Sequence, residues 1–329
     1  MPRSIKKFFT VLFFLSLCYP LYLGYKYYQR CTYLPVRYPF ICGNAFRHAS
    51  DHFFDQPCKM RILLTGKSFN PKQVQDGDIV FIKNHPAYLK KFFANVHPHI
   101  NAKYILLSHQ GDMGTPGAFS HYLNDEKIIA WCSCNVATPN NPKMVALPLG
   151  VIGILQHKLP WNCEDILGKI LIDIKKDRIK KTNLFYFNVS ICTNPTERGK
   201  PLDILRNQKF CTTTSRKPYE QYLREMATFK FVISPHGTGL DCYRTWEALM
   251  LGCIPVVKTS VLDPLYKDLP VLIVNAWEEI TEEFLNKKYD EMASKNYKLE
   301  KLSIDYWIEV INACKFRNIL KTQELDYVK

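Results

Sequence analysis

"SPHGTGLDCYRTWEALMLGCIPVV", residues 234–257, sets a histidine, two glycines, an arginine and a glutamate ahead of a strongly apolar close. The preceding "FKFVIS" reads as a strand ending at Ser234, "PHGTG" as a tight loop, and 240–251 as a helix closed by Gly252, with Pro255 shortly beyond. A strand, a glycine loop and a helix start make an anion site, because backbone N–H groups point outward and the helix dipole favours negative charge. Gly237 and Gly239 let the backbone approach a ligand with no side chain in the way. Arg244 and Glu247, three residues apart, share a face near the helix start. The arginine offers a bidentate grip on phosphate, and the glutamate can accept hydrogen bonds from ribose hydroxyls one sugar away from a diphosphate. The competing account of the pair is a solvent-facing ion pair, worth only about 0.3–0.5 kcal/mol. A dinucleotide fingerprint needs a third glycine where Cys242 stands, a kinase-type phosphate loop needs Gly-Lys-Ser/Thr, and an esterase needs a G-x-S-x-G elbow that occurs nowhere in the chain.

Outward from this stretch, apolar runs alternate with helical ones. "MRILLTG", "DIVFI", "KYILLS", "KIIAW" and "MVALPLGV" read as buried strands in the first half, and "NLFYFNVS", "FKFVIS", "CIPVV" and "LPVLIV" in the second. Continuous Val, Ile and Leu runs without polar alternation suit parallel strands covered on both faces. Between the halves, "KILIDIKKDRIKKTN" reads as a solvated helix end and linker. At 329 residues the chain exceeds the usual size of one core, so two α/β domains in tandem are expected.

Forty-four Lys and Arg against thirty Asp and Glu give a formal charge of +14, which favours an anionic partner without choosing among nucleotide, nucleic acid and membrane surface. From Phe8 to Tyr25 no residue is charged, while Arg3, Lys6 and Lys7 precede and Lys26 and Arg30 follow. That length spans a bilayer if the flanking aromatics sit at its surfaces. A cleaved signal peptide is the alternative, but bulky residues fill the place of a small-x-small cleavage site, so an uncleaved anchor with its short basic end in the cytosol is expected. Twelve cysteines occur. Cys31, Cys42 and Cys58 follow the anchor, where disulfides would pin a stem in an oxidising compartment. Cys132-Ser-Cys134 lacks a second pair at metal-ligand spacing and reads as buried thiols.

"FVISPHGTGLDCYRTWEALMLGCIPVVKTS" resembles the carboxyl-terminal donor-binding segment of exostosin-like glycosyltransferases, in which a P-x-G loop, an R-x-x-E-A helix and a "GCIPV" strand follow one another. The likeness extends to "YFNVSICTNPTERGK", "AWCSCNVATPNNPKMVALPLGV" and "YILLSHQGD", and covers roughly residues 40–285. It implies the GT-B architecture, two Rossmann-like domains facing a cleft, often in a type II membrane protein, and transfer of a sugar from a nucleoside-diphosphate donor with inversion and no metal or other cofactor.

The domain plan that follows is a cytosolic tail at 1–7, an anchor at 8–25, a stem at 26–45, an acceptor domain at 46–175, a nucleotide-sugar domain at 176–290 and a helical segment at 291–329. On the donor side Arg244 is expected to hold the diphosphate and Glu247 the ribose, with His236, Gly237 and Gly239 beside the phosphates. Asn188, Ser190, Thr193 and Arg198 follow a strand and are expected to line the same cleft, Arg198 as a second phosphate cation. Inversion needs a general base, and "YILLSHQGDMGTPG" offers His109 and Asp112 together in a glycine-rich loop. The expected partners are a nucleotide sugar, a glycan or glycoconjugate acceptor and the membrane, without nucleic acid. The expected location is a single-pass type II membrane protein of the Golgi or secretory pathway if the source is eukaryotic. A glycan- or nucleotide-binding protein without turnover would keep Arg244 and Glu247 but need no base; a basic scaffold would depend on the lysine runs and lose affinity steeply with salt.

Overall fold

The computed structural model describes residues 40–54, 69–152 and 163–316. The expected anchor at 8–25, "MRILLTG", Cys31 and Cys58 lie outside them. No helix among the described residues is long and apolar enough to cross a membrane.

The first half forms a parallel sheet of β1 (His52–Phe54), β2 (Ile79–Lys83), β3 (Tyr104–His109), β4 (Ile128–Ser133) and β5 (Met144–Ala146), in sequential order. Its apolar runs split by parity. Ile79, Phe81, Ile105 and Leu107 point to a core shared with the second half, while Val80, Ile82, Tyr104 and Leu106 enter a separate core beneath helix α2 (Pro86–Asn95). Ile128 and Trp131 lie on one face despite odd spacing, because the β3–β4 register slips between Tyr104 and Ile105. Burying each such side chain stabilises the fold by about 1.5–3 kcal/mol, which is why the runs need no polar alternation. The short α1 (Gly43–His48), capped by the Cys42 sulfur, packs into the shared core rather than forming a stem.

After α3 (Cys163–Lys176) the second sheet runs β7 (Cys211–Thr213), β6 (Asn183–Phe187), β8 (Phe229–Ile233), β9 (Ile254–Lys258) and β10 (Leu272–Val274), all parallel. This is a doubly wound order that reverses direction between β6 and β8. Helices α4 (Pro195–Leu205), α5 (Tyr219–Met226), α6 (Tyr243–Met250) and α7 (Asp263–Tyr266) connect the strands, and α8 (Glu282–Ala293) follows β10. The last helix, α9 (Ile304–Ala313), returns to pack on α1, with Phe40 bridging to Ser303.

Lys175, Lys176, Arg178 and Lys180 are exposed, as expected of a solvated helix end and linker, and Lys181 is the exception. Its Nζ donates to the Ala227 and Leu251 carbonyls at 2.7 and 2.9 Å and lies 2.9 Å from the Cys253 sulfur. One ammonium thus satisfies orphan carbonyls where α5 and α6 end. Gly252, at φ +68, terminates α6 as its place in the sequence predicts.

Candidate functional site

In a doubly wound sheet a ligand crevice opens outside the carboxyl ends of the strands at which the winding reverses, because the loops there depart in opposite directions. Here those loops are residues 188–194 after β6 and 234–242 after β8, the two stretches singled out from sequence.

Helix α6 begins at Tyr243, three residues later than its apolar pattern predicts. Asp241 accounts for the delay. Its amide donates to Asn135 Oδ1 at 2.8 Å, and its carboxylate accepts from the Leu149 amide, the Cys242 amide, the Trp246 indole and the Tyr266 hydroxyl at 2.7–3.2 Å. Burial pushes its pKa up to about 6 against the pull of those donors. Asn135 follows β4 and Leu149 leads out of the first half, so this one residue ties the start of α6 to the opposite domain. Neither Asn135 nor Asp241 carries a motif, and sequence reading missed both.

The glycines serve a different close approach from the one expected. A Cβ at Gly237 would stand 2.8 Å from Arg198 Nη2, and one at Gly239 2.7 Å from Asn135 Nδ2. Arg198 itself is buried and committed: Nε donates to the His236 carbonyl at 3.1 Å, Nη1 to the Ser190 carbonyl at 2.9 Å, and Nη2 meets the Cys242 sulfur at 3.7 Å. It clamps the two loops together, and its donors are not free for a phosphate. Asn188 likewise turns inward, donating to Tyr186, Thr214 and Ser215. Ser190 is exposed at the crevice edge.

Arg244 is different. It is half-buried on the first turn of α6, and its Nε and Nη1 are enclosed with no hydrogen-bond partner. Leaving a buried donor unmade costs about 1–3 kcal/mol, and more when it is charged. The ion pair with Glu247 does not form. Glu247 is buried, with Oε1 accepting from the Tyr219 hydroxyl at 2.8 Å and Oε2 from the Tyr222 hydroxyl at 3.3 Å; burial holds its pKa above the usual carboxylate range. Its carboxylate braces α6 against α5 instead of facing a ribose. The Arg244 charge acts on Arg198 strongly enough to depress the latter's pKa, after burial. Two cations therefore stand together at the loop.

His236 is partly exposed, its Nε2 3.5 Å from Glu197 Oε2. Beside it a cavity of about 120 Å³ opens among Glu197, Ser234, Lys258, Thr259 and Tyr266.

Across the cleft the two candidate bases part company. His109 is fully buried at the end of β3. Its Nε2 donates to the Pro148 carbonyl at 2.9 Å and its Nδ1 accepts from the Gln110 amide at 2.8 Å; burial depresses its pKa to about 4. With both ring nitrogens engaged by backbone it cannot take a proton from an acceptor, and it is corrected to a structural residue. Asp112 is exposed at the loop tip. Gly111 places it there: a Cβ at 111 would fall 1.7 Å from the Asn84 carbonyl oxygen. No group of three or more His, Cys, Asp or Glu among the described residues is arranged to hold a metal.

Residues 196–323 match the family model described as the RXYLT1 C-terminal domain. No curated protein matches the chain. Among solved structures, an alpha1,3-fucosyltransferase with GDP-fucose is 15% identical over 79% of this chain and 81% of its own, with a TM-score of 0.41. The OtsA apo structure is 11% identical over 83% and 79%, with a TM-score of 0.39. An E. coli trehalose-6-phosphate structure bound with UDP-2-fluoro glucose is 11% identical over 83% and 79%, with a TM-score of 0.38. These are likenesses of outline, and no residue is carried over from them.

Proposed function

We propose that this chain is a glycosyltransferase of GT-B architecture that moves a sugar from a nucleoside-diphosphate donor to a hydroxyl of a glycan or glycoconjugate, with inversion and without a metal, held in the membrane by its 8–25 segment as a type II protein of the secretory pathway. The observation that carries the proposal is the unpartnered Arg244 guanidinium beside the 234–239 loop at the reversal of the second sheet. A diphosphate supplies the missing acceptors, and the Arg198 charge adds attraction without a direct bond. His236 and the exposed Ser190 stand at the rim, where the donor enters. Asp112 then takes the proton of the acceptor hydroxyl, whose oxygen bonds to the anomeric carbon as the bond from that carbon to the phosphate oxygen breaks. The diphosphate leaves with the electron pair, its charge met by Arg244.

Calorimetric titration with UDP, GDP, CDP and ADP tests the donor site. One of these binds the wild type, and Arg244→Ala weakens it by about 2 kcal/mol, roughly thirtyfold. Absence of binding by all four to folded wild type overturns the proposal.

A further inference from the structure

Five large apolar side chains are exposed among the described residues, and Tyr243 is the one next to the unpartnered arginine. It is 38% exposed, whereas Trp246, one turn further along α6, is 1% exposed and fills the core. An aromatic whose task is packing would be covered as Trp246 is.

What Tyr243 faces follows from a chain of bonds. Asn135 Nδ2 donates to the Gly111 carbonyl at 3.1 Å, while Asn135 Oδ1 accepts from the Asp241 amide at 2.8 Å. One amide side chain thus holds the residue before Asp112 and the residue two before Tyr243 on either side of a seam. Burial raises the pKa of the phenol, and the neighbouring Asp112 carboxylate of the first domain adds to the rise, so the ring stays neutral. An exposed carboxylate and an exposed aromatic ring therefore flank the cleft from opposite domains, one residue from Arg244.

We propose that Tyr243 and Asp112 form a subsite for a pyranose ring, the apolar C–H face of the sugar lying on the phenol and one hydroxyl donating to the Asp112 carboxylate. A pyranose has one face of C–H bonds and a rim of hydroxyls, and an amphipathic aromatic beside a carboxylate meets both. The role of this sugar as acceptor rests on the transferase proposal; its binding does not.

Saturation-transfer NMR with methyl β-glycosides of glucose, galactose, xylose, mannose and N-acetylglucosamine tests the subsite directly. At least one binds wild type; Tyr243→Ala weakens it about tenfold or more, whereas Tyr243→Phe stays within roughly threefold. Asp112→Asn, an exposed loop change, weakens it independently of how Tyr243→Ala folds, and Leu299→Ala, an exposed change outside the proposed subsite, leaves it unchanged. If no glycoside binds wild type, or if Tyr243→Ala and Asp112→Asn both bind as wild type does, the subsite is refuted. Nucleoside-diphosphate titration of wild type reads the donor site separately: glycoside binding without it leaves the subsite standing and removes the transferase, and the converse removes only the subsite.

Discussion

Asn135 holds the Asp241 amide at 2.8 Å across the two halves of the chain, from a left-handed backbone at φ +56. Asparagine tolerates that region better than other side chains. The same amide reaches the Gly111 carbonyl, so one buried residue fixes the Asp112 loop, the 234–239 loop and the start of α6 relative to one another. Gly239 is part of the joint, since any side chain there would displace the Asn135 amide.

Asn135→Ala should accordingly be far more damaging than its size suggests. It leaves the buried Asp241 amide unpaired, at about 1–3 kcal/mol, leaves the Gly111 carbonyl with only the Cys134 thiol at 3.5 Å, and adds about 1 kcal/mol of left-handed strain. Asn135→Gly removes the same bonds but not the backbone freedom, so it should be the more stable of the two by about 1 kcal/mol. Urea denaturation of the three proteins checks this, and the joint is refuted if both variants unfold within about 0.5 kcal/mol of wild type.

If Asp112 is the base, Asp112→Asn keeps the size and shape of the side chain but removes the proton acceptor. Release of nucleoside diphosphate from the sugar donor should fall by about 10² to 10⁴, while affinity for the nucleoside diphosphate, held by the other domain, changes little. Turnover equal to wild type with the donor at saturation would place the base elsewhere.

Strands longer than four residues were legible because burial on both faces leaves them mostly apolar. β1 and β7 were not, since "HFF" and "CTT" are three-residue edge strands with no periodicity to read. The position of the site was legible too: a glycine loop between strand and helix is a local signal. Its wiring was not. Whether Arg198 grips a ligand or the His236 and Ser190 carbonyls is decided by a loop about forty residues away, and whether Glu247 is free is decided by Tyr219 and Tyr222 on a separate helix. Arg244 stays unpartnered because those same tyrosines take the carboxylate that its spacing would have given it. His109 reads as catalytic because it lies close to Asp112 in a glycine-rich stretch; three residues earlier, at the end of a buried strand, it is sealed by the Pro148 carbonyl.

That sealing gives His109 a signature in stability. Its folded pKa of about 4 lies below the unfolded value of about 6.5, so between these values the unfolded chain binds the extra proton. Stability from the neutral ring is therefore complete above about pH 6.5 and is lost as pH falls toward 4, on the order of 3 kcal/mol in all. Asp241, with its pKa raised toward 6, acts in the opposite sense over much of that window, because the folded state binds the proton there. The two are separated by difference. His109→Gln, which preserves a donor toward the Pro148 carbonyl, should be less stable than wild type at pH 7.5, and the gap should narrow as pH is lowered from 6.5 to 4.5. Urea midpoints measured across that range for both proteins check it. A gap that stays constant would mean that His109 titrates alike in the folded and unfolded chains, and the buried neutral ring would be refuted.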